Sequence, residues 1–250
     1  MEPESSILTK AFDVLDVFDD DRRVVTLTEI AQRSGLPKST VHRLLARLLS
    51  LDVIERHGTG YRVGIRMLSV SSVTPVNAFR ELALPFLHLL HSRVGNTVHL
   101  TVLRGAEIVY VEKIRHPGAF PTPSYVGGHM PAHATAAGKV LLAFTEESGQ
   151  TPESLARRTG NTITDVEALR VELATVRERG IATEFQESAP GIACLAAPIT
   201  IMGRVVAAVS VAVPVAQGVT GLEGPVRETS VRIARATAKA ERQDYVPPIT

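Results

Sequence analysis

The chain of 250 residues has no tryptophan, only one cysteine, and an aromatic content of 4%. A single cysteine excludes the internal disulfide framework on which small secreted domains depend. No apolar run approaches the ~20 residues that cross a bilayer, and the opening residues MEPESS lack the basic and apolar segment of a secretory signal. We therefore expect a cytoplasmic protein with no membrane partner.

Net charge is also nearly absent, at +1 for the whole chain, whereas hydrophobic residues make up 44% of it. This composition supports a packed core and is typical of a globular protein. At ~100–200 residues per domain, the length predicts one large or two modest domains.

Residues 27–66 depart from this neutral average, with the sequence LTEIAQRSGLPKSTVHRLLARLLSLDVIERHGTGYRVGIR. The pattern predicts a short helix over 27–34, a break at 35–37, and a second helix with Pro37 at its first position. The second helix has an apolar stripe at helical spacing, made of Val41, Leu44, Leu45 and Leu48. Two helices joined by a tight turn that contains glycine indicate a helix-turn-helix.

The other face of the second helix carries hydrogen-bond donors and positive charge. Residues 53–57 and 61–63 alternate around Gly58-Thr59-Gly60, which predicts a hairpin or "wing". Residues 22–66 contain nine basic and three acidic side chains, an excess of six positive charges that favours binding to the phosphates of DNA. We expect base contacts from Ser39, Thr40, His42 and Arg43, and phosphate contacts from Lys38, Arg47, Arg56 and Arg62.

Before this segment, a helix capped by Ser5 or Ser6 and extending to about Phe18 is apolar over a wide arc. The arc is wider than one three-helix head requires, so we expect this helix to pack on a second protomer as well.

After residue 66 the pattern predicts a separate α+β domain. Residues 67–74, MLSVSSVT, are small and hydroxylic and mark a boundary; a helix over 76–94 follows, which Pro85 should bend or break. Strands are predicted over 97–103, 108–114, 181–185, 192–199 and 205–213, and helices over 135–144, 164–180 and 222–240.

Taken together, these segments resemble the IclR family of bacterial transcriptional regulators over nearly the whole chain. The similar stretches are SILTKAFDVLDVF at residues 6–18, the helix-turn-helix with YRVG at 61–64, GGHMPAHATAAGKVLLA at 127–143, and GIACLAAPI at 191–199. The resemblance implies a winged helix-turn-helix domain (1–66), a linker helix region (67–94) and a GAF-like effector-binding domain (95–250). It also implies a homodimer or homotetramer on a palindromic duplex.

The residues suggest how a small effector would bind. Thr135 suits an N-cap, so the amides of Ala136, Ala137 and Gly138 should lie unpaired at the start of a helix, where small anions bind. By family position the effector site comprises Ala119, Thr122, His133, Ala134, Thr135, Ala136, Ala137, Glu184, Cys194, Ser210 and Ala212. A small organic acid, aliphatic or aromatic, is the class that this arrangement favours.

Other functions fit the residues less well. Lys139 follows Gly138 as in a phosphate-binding loop, but His133 and Val140 stand where that loop needs glycine and a hydroxyl residue. His129 and His133 are separated by a proline that disfavours a shared metal, and Cys194 lies in an apolar run that would keep a thiol inert. We therefore expect no enzyme, cofactor or metal site. The alternative is a stand-alone small-molecule sensor that acts through a protein partner, which the basic second helix disfavours.

Overall fold

The computed structural model describes residues 6–19, 22–145 and 155–241, and the chain divides into two units, Met1–Thr74 and Pro75–Thr250. In the described ranges, no helix is long and apolar enough to cross a membrane. The two units are described separately.

The first unit consists of three helices, a two-stranded antiparallel hairpin and a short fourth helix. Their bounds are α1 Ile7–Leu15, α2 Leu27–Ser34, α3 Lys38–Ser50, β1 Ile54–His57, β2 Gly60–Val63 and α4 Arg66–Ser72. Its core includes Ile30 from α2, Val41 and Leu45 from α3, and Ile54 and Tyr61 from the hairpin. The predicted helix-turn-helix and wing are confirmed.

Local capping explains where these helices begin and end. Thr26 and Glu29 form a capping box at the start of α2, and Gly35 ends this helix with φ +68°, a conformation that glycine adopts without strain. Ser6 caps α1 by accepting a hydrogen bond from the amide of Thr9, whereas Ser5 lies outside the described residues. Pro37 is the N-cap residue of α3, so the prediction of Pro37 at the first helical position was wrong by one residue.

The second unit is a six-stranded antiparallel sheet with helices on both faces, as expected for an α+β domain. Its elements are α5 Pro75–Val94, β3 Thr97–Arg104, β4 Glu107–Ile114, β5 His129–Pro131, α6 Ala136–Phe144, α7 Val166–Arg179, β6 Ala182–Phe185, β7 Ile192–Ile201, β8 Arg204–Pro214 and α8 Glu223–Glu241. The strand order is β5-β4-β3-β8-β7-β6. One core cluster joins the sheet to α5 and α8, and another joins it to α6 and α7.

In the region between the predicted domains, a boundary segment is helical and Pro85 does not break its helix. Residues 67–72 belong to α4, although their hydroxylic composition suggested only a boundary. Pro85 lies inside an uninterrupted α5, where Phe79 and Leu87 are fully buried on the other side of the helix. Because Pro85 is exposed, water can bind the carbonyl that lost its backbone partner, and burial of the apolar face holds the helix together.

Helix α5 is part of the second unit by packing, since its buried residues belong to the core cluster of the sheet and α8. The assignment of residues 67–94 to a linker remains a prediction.

Candidate functional site

The exposed side of α3 is the most basic helical surface of the first unit. Its apolar stripe is buried, which turns the polar side chains outward. We call these exposed side chains the recognition face: Lys38, Ser39, His42, Arg43 and Arg47. Thr40, also predicted to contact bases, is half-buried beside them. Within the described residues, no acidic side chain pairs with the three cations of this face, so their charge is available to a polyanion.

The hairpin carries the two other predicted phosphate contacts, but they differ in their surroundings. Arg56 lies over the ring of Tyr61, with its guanidinium carbon 5.1 Å from the ring centroid. Arg62 donates to Glu55 across the strand pair at 2.6 Å, so it already has an acidic partner. We therefore expect Arg56 to contribute more than Arg62 to an interaction with phosphates.

In the second unit, a narrow cavity lies between the start of α6 and the sheet. The free space among its lining atoms, part of which is open to solvent, is about 380 Å³. The lining comes from five strands, the start of α6, the loop before β5 and the segment after β6: His99, Ile108, Tyr110, Thr122, Pro123, Ser124, Thr135, Ala136, Ala137, Glu184, Ser188, Ile192, Cys194, Ser210 and Ala212.

The first residues of α6 and its N-cap line this cavity. Thr135 caps the helix, and its hydroxyl accepts a hydrogen bond from the amide of Gly138 at 3.0 Å. Gly138 is therefore not an unpaired donor, which corrects the prediction. The amides of Ala136 and Ala137 are first-turn donors with no intrahelical acceptor, at the positive end of the helix dipole.

Glu184 supplies a buried carboxylate at the β6 side of the cavity. It accepts hydrogen bonds from the amide of Glu187 at 2.9 Å and from the hydroxyl of Ser188 at 2.7 Å. Cys194 lies opposite Glu184 in the pairing of β6 with β7. Burial, and then the nearby Glu184 carboxylate, raise the pKa of the Cys194 thiol, so this thiol is not an activated nucleophile.

The β3 side of the cavity is polar but uncharged. The Nε2 of His99 lies 2.8 Å from the hydroxyl of Ser124, which in turn lies 2.8 Å from the hydroxyl of Thr122. Burial, assisted by the positive charge of Lys113, lowers the pKa of His99 to about 3. The ring of Tyr110 lies 5.0 Å from that of His99, and burial raises the pKa of its phenol. Both groups are neutral at physiological pH.

Next to the cavity, Lys139 of α6 is almost completely buried in an ionic cluster. Its Nζ lies 2.7 Å from Glu187 and 3.3 Å from Glu172, and donates to the carbonyl of Thr183 at 3.3 Å. The cluster ties α6 to α7, to β6 and to the segment after β6 that includes Ser188. Its role is to position these elements, since Lys139 itself does not line the cavity.

The cavity brings together eight of the eleven predicted effector residues: Thr122, Thr135, Ala136, Ala137, Glu184, Cys194, Ser210 and Ala212. Three others do not line it. Ala119 is half-buried in the preceding loop, Ala134 is fully buried in the turn before α6, and the Nε2 of His133 contacts the carbonyl of Ala156 at 3.1 Å.

The lining residues that sequence reasoning missed include His99, Tyr110, Ser124 and Ser188. His99 and Tyr110 lie on predicted strands, but only the strand register shows which of their residues face α6. In the described ranges, no group of three or more histidine, cysteine or acidic side chains could hold a metal ion.

Comparison with known proteins gives the same division of the chain. Residues 7–58 match the IclR helix-turn-helix domain, and residues 72–240 match the C-terminal domain of bacterial transcriptional regulators of the IclR type. The HTH-type transcriptional regulator XynR of Escherichia coli K12 is 34% identical over 221 residues, which are 80% of this chain and 83% of that protein.

Solved structures agree with this comparison. An IclR homologue from Microbacterium hydrocarbonoxydans, complexed with 4-hydroxybenzoate, is 30% identical with a TM-score of 0.82, over 94% of this chain and 100% of that one. IclR of Thermotoga maritima is 28% identical with a TM-score of 0.74, over 92% of this chain and 98% of that one. The chain therefore belongs to the IclR family of transcriptional regulators, with a helix-turn-helix domain that binds DNA and a C-terminal domain that binds an effector.

Proposed function

We propose that this regulator reads a palindromic DNA site with α3 and responds to a small organic acid in the cavity at the start of α6. The observation that carries the proposal is the recognition face, whose three cations have no acidic partner among the described residues. A helix with this face can enter the major groove, where Ser39, His42 and Arg43 contact base edges and Lys38 and Arg47 contact phosphates.

The effector class follows from the donors that the cavity offers. A carboxylate placed at the amides of Ala136 and Ala137 would gain two backbone hydrogen bonds and the favourable end of the helix dipole. Both residues line the cavity and have small side chains. The Microbacterium relative complexed with 4-hydroxybenzoate supports an acid of this size.

Assembly into a homodimer or homotetramer is supported by the exposed apolar side chains of α1. Ile7, Leu8 and Phe12 are 62%, 70% and 61% exposed, which is costly on a surface that faces only water. A second copy that covers them would place two recognition faces on one duplex, as a palindromic site requires. The regulator acts where the DNA is, in the cytoplasm, and no catalytic step belongs to the proposal.

Effector binding and DNA binding are coupled if the helix-turn-helix domains of the oligomer can adopt two arrangements and the effector binds one of them more tightly. Binding in the cavity would then change the spacing or order of the heads through residues 67–94.

Arg43→Ala tests the proposed docking of α3. We expect affinity for a specific duplex to fall by about 1–3 kcal/mol, the usual value of a good base contact. Arg104→Ala, an exposed arginine of the second unit, removes the same charge and should leave DNA affinity unchanged. If Arg43→Ala bound specific and non-specific DNA as the wild type does, the proposed docking of α3 would be wrong.

Ala136→Glu tests the effector site. Ala136 is buried at the start of α6, so the larger acidic side chain should fill the cavity and repel an incoming carboxylate. We expect loss of the effector response with DNA binding retained, measured by fluorescence anisotropy with and without acid. An unchanged response would place the effector elsewhere.

A further inference from the structure

The charge of the cavity limits the number of carboxylates that an effector can carry. Of the described residues that line it, none is lysine or arginine, and the one acidic side chain is Glu184. The start of α6 is the one place in this lining that favours an anion. A second carboxylate would lose its hydration beside a resident negative charge and gain no cation, which is unfavourable.

Strand register places His99 far from Glu184 on the cavity floor. Glu184 of β6 pairs with Cys194 of β7, and Cys194 pairs with Ala212 of β8. Ser210, two residues before Ala212, pairs with His99 of β3. Neighbouring strands are ~4.8 Å apart, so three strand spacings separate the two backbones by ~14 Å. Cys194 and Ala212, whose side chains are small, lie between these ends.

His99 is part of a small hydrogen-bonded group that we call the polar wall: His99, Ser124 and Thr122. The hydrogen bonds between these side chains are both 2.8 Å long, and His99 and Ser124 are almost completely buried. Lys113 donates from its Nζ to the carbonyls of Ser124 and Thr122, which holds this segment of the loop against the sheet. The wall is therefore a built surface and not a chance approach of a mobile loop.

We propose that the polar wall determines effector specificity, by selecting a monocarboxylic acid that also carries a hydroxyl group. This inference rests on the proposed function, because it assumes that the carboxylate binds at the start of α6.

The chemistry of the wall supports this choice. A neutral imidazole and two hydroxyls can both donate and accept, which matches a hydroxyl group. They offer no positive charge to a carboxylate. The charged or titratable groups nearby are Lys113, Tyr110, Cys194 and Glu184. Lys113 is the cation among them; its Nζ donates to the carbonyls of Ser124 and Thr122, and it does not line the cavity.

Isothermal titration calorimetry of the full-length protein tests this with two matched series of acids. The first is benzoate, 4-hydroxybenzoate and benzene-1,4-dicarboxylate; the second is propanoate, 3-hydroxypropanoate and propanedioate. In the series that fits the cavity, we expect the hydroxy acid to bind about tenfold more tightly than the plain acid, the value of one good neutral hydrogen bond. We expect the dicarboxylate to bind on the order of a hundredfold more weakly than the plain acid.

Variants of the wall separate recognition from folding. His99→Phe keeps a ring but removes the hydrogen-bonding atoms, so the hydroxy acid should lose its advantage while the plain acid binds within about threefold of its wild-type affinity. His99→Gln keeps a donor and an acceptor and should retain part of the preference. Ser124→Ala should weaken the preference as His99→Gln does. His129→Phe, at an exposed histidine outside the cavity, is the matched control and should change nothing.

The outcomes distinguish this inference from the proposed function. If acids bind and alter DNA affinity but hydroxy and plain acids bind equally, the role of the wall is refuted while the effector class stands. The role of the wall is also refuted if a dicarboxylate binds most tightly, or if the preference for the hydroxy acid remains in His99→Phe. If no acid of either series binds the wild type, the proposed effector class fails and the inference fails with it. Should His99→Phe not fold, His99→Gln and Ser124→Ala give the same test.

Discussion

Lys139 is the residue whose replacement should most clearly perturb the second unit. Its side chain is 2% exposed, and its Nζ pairs with Glu187 at 2.7 Å and Glu172 at 3.3 Å. Lys139→Met keeps the length of the side chain but removes the charge. Glu172 is partly exposed and can turn to water, whereas Glu187 would be left buried without its cation.

Loss of one partner from a buried ion pair costs about 3–5 kcal/mol. Because a domain of this size loses about 2–4 °C of Tm per kcal/mol, we expect the melting temperature of the second unit to fall by roughly 6–20 °C.

The loss of stability in Lys139→Met should depend on pH, and the pKa of Glu187 determines the direction. Burial already raises the pKa of Glu187, while Lys139 opposes that rise. Without Lys139, the pKa should rise further, so the folded state holds a proton that the unfolded state has released. Stability is then lost as the pH rises from the ordinary carboxyl range through the raised pKa of the folded state. The deficit of Lys139→Met should therefore be smaller at pH 5 than at pH 8.

Thermal unfolding followed by circular dichroism measures both effects. Lys239→Met, at an exposed lysine of α8, is the matched control and should shift the transition by no more than about 0.5 kcal/mol. Glu187→Gln in the Lys139→Met background should recover part of the loss, because an amide buries no charge. Equal melting temperatures for Lys139→Met and wild type, or a deficit that does not change with pH, would refute the reasoning.

Two further predictions concern packing at α6 and charge on the wing. A Cβ on Gly138 would lie 2.2 Å from a backbone carbonyl oxygen of the preceding turn, so Gly138→Ala should destabilise the second unit by about 1–3 kcal/mol or more in denaturant unfolding. Gly224→Ala, in open space on α8, should cost nothing; equal effects would contradict the contact at Gly138. Glu55→Gln should release Arg62 and steepen the dependence of log affinity on log salt by about 0.9 for non-specific DNA. The control Glu167→Gln, at an exposed paired glutamate of α7, should leave the salt dependence unchanged. An unchanged salt dependence for Glu55→Gln would mean that the wing does not contact phosphates.

Most of the fold could be predicted from the sequence because its elements show clear periodicity. The apolar stripe of α3 and the alternation in β3 and β4 locate these elements to within one or two residues. Pro85 does not break α5, because burial of the apolar face outweighs the local preference of the chain. A bend at this residue stays a prediction. The strand His129–Pro131 was missed because three residues between glycines and an alanine-rich turn are too few for a visible period.

The candidate site was predictable only where one segment carries it. Thr135 and the alanines of α6 are contiguous, and their N-cap geometry follows from local sequence. His99 and Ser124 are 25 residues apart, and Lys139 and Glu187 are 48 apart. Such pairs depend on strand register and helix packing, which no local pattern encodes.

The central claim is that this chain is a regulator whose cavity controls its binding to DNA, and the most direct test begins by selecting bound duplexes from a random library with the full-length protein. The affinity for the selected site is then measured as a function of salt concentration, with and without the acids. We expect a palindromic site to be enriched, its affinity to fall steeply with salt, and one acid to shift that affinity in the wild type but not in Ala136→Glu. Failure to enrich any sequence, with or without the acids, would contradict the claim that this chain is a regulator whose cavity controls its binding to DNA.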